Sequence, residues 1–482
     1  MINIGRKFAI SLLASTLVLF YTHCVFAESE QAGDKGFKVT KDTTLNVGFS
    51  ITPEYESNIT KASVDSTATD NLAGTVKNIK VISDMILHYS PNLRIKLDDL
   101  SKTVGMSLFF DYNHYLGLHD KKTLKKFSDL DIKSELLGEF NKNGFVIFDF
   151  KNTFGRSATP DGQDMAGKHK NILENFITGV GFKNIEDTLY GKIQVGLDFN
   201  YLEQSKSSKA YRDYNYASFV ADIFGRWKFL PRTMVFMKAS FRYQDFYESS
   251  VRNDSRAMPF NVFAGFMGQV TPYISAKISG GYTANFAKET RHDYNANAEL
   301  VFKYNKTTFM NVGYLKSLRP SAYFQYYSTH RAYLNFKQKF AKYFLATTDF
   351  SYSYISFGKN IEYSSSLYVD STPADDLDGD PDTYDYEEVF GDGSTLQHFA
   401  RGPFKDRNDH LIVLNPALSY NILSWLGIKL SYELEYRKTD YYKEIRAVYS
   451  DATDSSRNYD KTTKTHFDYI NHRVMFTIML DY

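Results

Sequence analysis

The chain has 482 residues, with Lys+Arg 57 against Asp+Glu 56, one cysteine, and 16% aromatics made up of Tyr 37, Phe 39 and Trp 2. A near-neutral balance offers no basic face to nucleic acid, and a lone thiol excludes an internal disulfide framework or a cysteine-based metal centre. Length alone would allow about three domains, but barrels of this size are single units, and one domain is the reading adopted.

The first element in chain order is a leader. Arg6 and Lys7 precede an apolar run from Phe8 to Phe20, and Val25-Phe26-Ala27 supplies a cleavage site, so residues 1–27 read as a secretory signal peptide. Tyr21-Thr22-His23 before Cys24 does not fit a lipoprotein signal, so the cysteine leaves with the leader. Removing Arg6 and Lys7 from the 57 leaves 55 against 56 in the mature chain. Residues 28–42 read as a short periplasmic segment and 43–482 as the main domain. No apolar stretch after Ala27 approaches the roughly 18 residues of a membrane helix. The mean hydropathy of −0.39 still suits a membrane barrel, whose lipid-facing and lumen-facing residues alternate and average out.

From Thr43 onward, segments of about ten alternating residues recur. The first carries Leu45, Val47, Phe49 and Ile51; the second Val81, Met85 and Leu87; the third Val104, Met106, Leu108, Phe110 and Tyr112. Leu130 to Phe140 is the fourth; Val146, Phe148 and Phe150 mark the fifth; Phe176, Val180 and Phe182 the sixth. Ile193, Val195, Leu197 and Phe199 mark the seventh, Phe219, Ile223 and Trp227 the eighth, and Val235, Met237, Phe241 and Tyr243 the ninth. The second half repeats the pattern over Phe260 to Val270, Ile274 to Phe286, Tyr294 to Tyr304, Thr308 to Lys316, His330 to Phe340, Phe344 to Ser356, Leu411 to Tyr420, Leu426 to Tyr436 and His466 to Tyr482. This predicts about eighteen strands, one hairpin fewer or more giving sixteen or twenty.

The connections alternate in length. Short turns follow even-numbered strands: Asn141 to Gly144, Leu230-Pro231-Arg232, Thr271-Pro272, Asn305-Lys306 and Ile422 to Trp425. Longer polar loops follow odd-numbered ones, at 57–74, 113–128, 155–168, 358–407 and 437–463, the largest being 358–407. In the closing strand Val474, Phe476, Ile478 and Leu480 alternate and Tyr482 ends the chain. Phe476, Ile478, Leu480 and Tyr482 are the expected signal to the barrel-assembly machinery. The fold class is therefore all-β, a transmembrane antiparallel up-and-down β-barrel. It belongs in the outer membrane of a Gram-negative bacterium, among outer-membrane lipid and lipopolysaccharide. A soluble propeller would repeat a blade motif, and none is present.

If the apolar set faces lipid, the intervening polar set faces the lumen. It includes Asp222, Arg226, Lys238, Arg242, Asn297, Glu299, Lys303, Arg331, Lys337, Asp349, Lys429, Glu433, Glu435 and Arg473. The pore-lining candidates are Arg226, Lys238, Arg242, Glu299, Arg331, Asp349 and Glu433. Such residues either set charge selectivity at a constriction or pair across strands and fill the barrel, the second being the default for any one of them. Arg226, Lys238 and Arg242 form the best basic patch, on strands joined by a three-residue turn.

In the loop 358–407, Asp378, Asp380 and Asp382 match the start of a calcium loop, but Thr383 replaces the turn glycine and Val389 the bidentate glutamate. A solvated acidic surface is the reading, the alternative being a weak divalent-ion site at Asp378, Asp380 and Asp382 bridging to lipopolysaccharide, and no cofactor is expected. Catalysis is not expected either: there is no G-x-S-x-G, H-E-x-x-H or G-x-x-x-x-G-K-[ST]. His292 beside Asp293 and His472 beside Arg473 stand without a nucleophile or carboxylate constellation.

V-G-F-S-I-T-P-E-Y-E-S-N-I-T (Val47 to Thr60), Tyr89-Ser90-Pro91-Asn92-Leu93 and Ser107-Leu108-Phe109-Phe110-Asp111-Tyr112 resemble the opening strands of outer-membrane β-barrel porin families, with Glu56 after Tyr55 where an Asp is usual. The resemblance covers the first quarter of the chain and the terminal strand. It implies a pore and, because some members accompany exopolysaccharide secretion, export of a polysaccharide. The expected function is passive passage of small hydrophilic solutes or polysaccharide export; the rival is a structural or adhesive barrel with a plugged lumen and partner-binding loops. Deleting Tyr482 should lower the amount of folded barrel recovered from outer membranes while leaving single-channel conductance of the remainder unchanged. Equal recovery of full-length and truncated protein would contradict the assembly role.

Overall fold

The computed structural model describes residues 37–58, 67–70, 75–78, 83–117, 129–157, 171–184, 186–202, 215–246, 256–287, 290–305, 307–320, 326–340, 343–358, 383–389, 395–401, 407–440, 442–450, 459–466 and 468–481. The leader, Asp378, Asp380, Asp382 and Tyr482 lie outside them. The described residues contain strands and no helix.

Strands β1 (Phe37–Thr40), β2 (Thr43–Glu56), β3 (Thr67–Asp70), β4 (Thr75–Asn78), β5 (Asp84–Asp98) and β6 (Lys102–Tyr115) open the chain. They are followed by β7 (Asp129–Phe140), β8 (Val146–Ser157), β9 (Asn171–Lys183), β10 (Leu189–Leu202), β11 (Tyr216–Leu230) and β12 (Thr233–Asp245). Next come β13 (Arg256–Thr271), β14 (Ile274–Phe286), β15 (Arg291–Lys303), β16 (Thr308–Pro320), β17 (Tyr326–Phe340) and β18 (Phe344–Phe357). The chain ends with β19 (Thr383–Val389), β20 (Thr395–Arg401), β21 (Asn408–Asn421), β22 (Leu426–Thr439), β23 (Tyr442–Ser450), β24 (Tyr459–His466) and β25 (Tyr469–Asp481).

Setting β1, β3, β4, β19, β20, β23 and β24 aside, the remaining strands pair in chain order, each antiparallel to the next, and β25 returns to β2. The product is a closed antiparallel barrel of 18 strands. The seam register runs from Gly48↔Asp481 to Glu56↔Arg473. Beyond Asp481, β1 folds back on the same edge of β2 through Phe37↔Leu45 and Thr40↔Thr43, so the stretch of β2 that β25 does not reach is paired too. A 13-residue strand is about 43 Å long, and at a tilt near 40° it crosses a bilayer core with an interfacial margin on each side.

Side-chain parity does the rest. On β10, Leu189, Ile193, Val195, Leu197 and Phe199 are exposed on the outside, while Lys192, Gln194, Asp198 and Asn200 occupy the other face. The register carries the same alternation around the barrel. Exposed aromatics flank the aliphatic band at both ends: Phe145, Trp227, Tyr273, Tyr304, Tyr343 and Trp425 at the turn side, and Tyr55, Tyr112, Tyr282, Tyr294, Tyr314, Tyr352 and Tyr436 at the loop side. Two such girdles mark a membrane-facing exterior.

The turns are held by side chains that accept backbone N–H groups. Asp99 accepts from the Ser101 and Lys102 amides at 2.6 and 2.9 Å. Asn184 accepts from Thr188 and Leu189 at 2.8 and 2.9 Å, and Asn305 from Thr307 and Thr308 at 2.8 and 2.7 Å. Asn141, with φ 56, takes the left-handed conformation that Asn tolerates.

Three differences from the sequence reading have physical causes. The second strand runs through Asp98, well past Leu87; Pro91 hides its second half by interrupting the pattern, and the ladder to β6 skips residues 90 and 91. Two loop-side connections, 287–290 and 321–325, are as short as turns. Most consequentially, the long loops are not all irregular. Those at 57–83, 358–407 and 440–468 contribute β3–β4, β19–β20 and β23–β24 to a second antiparallel sheet, ordered β19-β20-β23-β24-β3-β4.

Gly281 lies where β13 and β14 approach closely: a Cβ there would come 2.0 Å from the Val262 carbonyl oxygen and 2.5 Å from the Phe263 Cα. Gly281→Ala should therefore cost roughly 1–3 kcal/mol of overpacking and lower the heat-modifiable, folded fraction on unboiled gels. Gly155→Ala, where nothing lies within 4 Å, should fold as wild type; equal folding of the two variants would refute the close approach.

Candidate functional site

The inward face of the barrel is the site that the register builds. Arg226, Lys238, Arg242, Glu299, Arg331, Asp349 and Glu433 all stand on it, and each has a neighbour. Lys238 reaches Asp222 at 2.7 Å, Arg242 reaches Asp198 at 2.7 Å across β11, and Arg226 reaches Asp187 at 2.9 Å. Glu299 accepts from the Tyr333 hydroxyl at 2.8 Å, Arg331 lies over the Tyr333 ring at 5.9 Å, Asp349 accepts from Asn335 at 2.7 Å, and Glu433 pairs with Arg473. The expected basic patch on β11 and β12 is thus a set of ion pairs, those of Lys238 and Arg242 across strands and that of Arg226 to a turn. Phe224 and Phe236 stand between its members on the inward face.

Charge is nevertheless unevenly placed. Around the seam, the loop-side half of the wall carries Glu433, Glu435, Glu54, Glu56, Asp84, Asp111 and Asp131 against Arg437 and Arg473, on β22, β25, β2 and β5 to β7. Across the barrel, β10 to β12 carry Lys192, Arg226, Lys228, Lys238 and Arg242 against Asp198 and Asp222. Fixed charges in a low-dielectric wall focus the field on whatever occupies the lumen.

The two ends of the interior differ. At the loop side, inward residues are packed: Ile86, Leu202, Ile355 and Phe357 are at most 1% exposed. Asp409, fully buried, accepts a two-pronged bond from Arg407 at 2.9 and 2.8 Å and a further one from the Arg437 Nε at 2.9 Å. The Arg407 guanidinium stacks over Phe357 at 4.6 Å. An uncompensated charge at that depth would be costly, and the planar guanidinium forks satisfy it. On the seam wall, His88 lies between Glu54 and Asp111 at 3.1 Å from each.

Toward the turns the interior opens into a cavity of about 400 Å³, lined by Glu139, Lys142, Asp149, Lys183, Asp187, Tyr190, Lys192 and Arg226. Asp149 accepts from Lys192 at 2.8 Å and Gln194 at 3.2 Å, and Arg226 lies over the Tyr190 ring at 4.9 Å. Gly179 keeps the floor open, since a Cβ would come 2.8 Å from the Gln194 Cγ and 2.9 Å from the Asp149 Oδ1. Such mixed donors, acceptors and an aromatic ring can hold a hydrated, hydroxylated or charged solute; they form no nucleophile–base pair. Among the described residues, no group of three or more His, Cys, Asp or Glu side chains is arranged to hold a metal ion.

Sequence reasoning missed Asp187, which sits in a turn at φ 50 and carries no strand parity. It also missed the Arg407–Asp409 knot, although R-N-D before a strand places both side chains on one face. His88, Glu54 and Asp111 carry the inward parity of β5, β2 and β6 and were legible once the second strand was extended.

No protein-family model matches the chain, and no curated protein matches it. Solved structures do. The FrpB iron transporter from Neisseria meningitidis (F5-1 variant) is 8% identical with a TM-score of 0.41, over 91% of this chain and 82% of that one. The siderophore receptor PirA from Pseudomonas aeruginosa is 8% identical with a TM-score of 0.37, over 90% and 80%. The outer membrane protein opdK from Pseudomonas aeruginosa is 9% identical with a TM-score of 0.39, over 91% and 99%. The identities are too low to carry residues or substrates across.

Lys228 and Arg226 both bond Asp187, at 2.6 and 2.9 Å, and the Lys228 bond above all holds its carboxyl below the ordinary 3.8, against the opposing effect of burial. With the folded value depressed, the staple stabilises above pH 3.8 and is lost as pH falls through the folded value. Asp187→Asn, which still tolerates the positive φ, should lower stability at neutral pH by no more than roughly 1 kcal/mol, the carboxyl being 44% exposed. It should also flatten that acid limb in urea titrations; an unchanged limb would refute the staple.

Proposed function

We propose that the chain is an outer-membrane channel that passes small hydrophilic solutes, with its fixed charges setting their preference. The observation that carries this is the pairing of an apolar, aromatic-flanked exterior with a charged interior in one closed wall. Barrels of 16–18 strands are wide enough to leave an aqueous path, and a lumen lined by paired charges is what water and ions tolerate and lipid does not. Cations on β10 to β12 facing carboxylates around the seam would draw anionic and cationic parts of a solute to opposite walls. Passage of a polysaccharide is a narrower form of the reading; it rests on the resemblance in the first quarter of the chain, and the fold adds nothing to it.

The burial of Ile355, Phe357 and Asp409 favours a second reading, a barrel closed at its loop side whose outer sheet serves a surface role. Conductance separates the two. Purified protein in planar bilayers should give stepwise ion currents, and Arg226→Glu with Arg242→Glu should move the reversal potential toward cation preference. A silent membrane would reject the channel in favour of the closed barrel.

A further inference from the structure

On the outward face, one arrangement repeats four times. Tyr282 and His292, Tyr314 and His330, Tyr352 and His410, and Tyr432 and His472 each form a bond between the tyrosine hydroxyl and the imidazole Nδ1, at 2.5, 2.8, 2.8 and 2.7 Å. In every case the tyrosine lies on the first strand of a loop-side hairpin. The histidine lies on the second strand, two residues before the tyrosine's cross-strand partner: Tyr294, Ala332, Ile412 and Val474 respectively. The pairs occupy β14/β15, β16/β17, β18/β21 and β22/β25, which are consecutive around the barrel. They therefore form one continuous arc ending at the seam.

The chemistry of the pair is specific. A neutral imidazole that accepts the tyrosine proton on Nδ1 carries its own hydrogen on Nε2; a protonated one donates from Nδ1 and still carries a hydrogen on Nε2. In both of these states Nε2 is a donor, whereas the remaining neutral tautomer, with Nδ1–H donating to the tyrosine oxygen, leaves Nε2 an acceptor; an anion at Nε2 selects the first two, and in none of the four does Nε2 have a partner among the described residues. Hairpin repeats put successive donors about 10 Å apart, so they serve separate groups over an arc on the order of 30 Å. Lys438 lies opposite His410 on the same face, while Lys316, also on it, is held by Asp293 over the Tyr294 ring. No Asp or Glu within these eight strands has outward parity. Directly below lie Ile278, Leu300, Val312, Phe350, Leu430 and Phe476, all exposed. The arc therefore sits at the level where apolar surface ends.

We infer that this arc is a docking surface for phosphate-bearing headgroups of outer-leaflet lipid, each imidazole donating from Nε2 to a phosphate oxygen. Charge complementarity selects the occupant: the one carboxylate that reaches this face, Asp293, is neutralised by Lys316, and the imidazole donors with Lys438 suit an anion. The inference rests on the outward face being the lipid-facing one.

The test uses the full barrel in neutral maltoside micelles and counts bound lipid by native mass spectrometry, with bis-phosphorylated lipid A as probe and dephosphorylated lipid A as its match. Wild type should hold the phosphorylated form at least tenfold more tightly. His292→Phe, His330→Phe, His410→Phe and His472→Phe combined should bring the two lipids to parity. Should that variant fail to fold on unboiled gels, the four Tyr→Phe changes, which remove only the hydroxyls orienting Nδ1, should at least halve the preference. Equal binding of both lipids by wild type, or an undiminished preference in the folded variant, overturns the inference. So does displacement of the lipid by micromolar inorganic phosphate, or a wild-type oligomer that the variant turns into a monomer, which would make a second copy the occupant. A barrel that inserts into no vesicle would instead overturn the membrane reading itself.

Discussion

A strand cannot lie in hydrocarbon with a bare edge, because each unpaired N–H or C=O there costs several kcal/mol. In this chain the pairing of β25 with β2 removes that edge, and the other features depend on it. Once the sheet closes, every strand has one face toward lipid and one inward, so the period of two acquires a physical meaning at each residue. The short β1 belongs to the same constraint. It satisfies the part of β2 that the last strand is too short to reach.

Closure also determines how charge is handled inside. Side chains on the inward wall cannot escape to bulk water laterally, so they satisfy one another across strands: Lys238 with Asp222, Arg242 with Asp198, Glu433 with Arg473. The most deeply buried group, Asp409, takes two arginines. The same wall is open and polar near the turns and closely packed near the loops.

The period of two made most of the fold legible. β14 is bounded at Ile274 and Phe286 in both sequence and structure, and the strand count survives because each lipid-facing run is long and apolar. Inward placement of Arg226 or Glu299 follows from parity alone. Their partners do not. Asp187 meets Arg226 from a turn 39 residues away, and Arg242 reaches over an entire strand to Asp198; neither distance is encoded locally. The outer sheet was illegible for a related reason: its strands come from three loops, the first of them hundreds of residues before the other two, and they are short. The tyrosine–histidine arc was hidden because isolated histidines carry no signal until register shows them in the same diagonal place four times.

The outer sheet bears on the seam in one further way. Its β24 and β3 belong to the loops that follow β22 and β2, so Lys461↔Asp70 through Lys464↔Thr67 join the two sides of the closure a second time, above the wall. The first and last strands are thus buttoned at two heights. Unzipping between them would have to break both rows together, which makes this junction a poor lateral gate: cargo too bulky for the lumen would have no sideways exit where the ends of the chain meet.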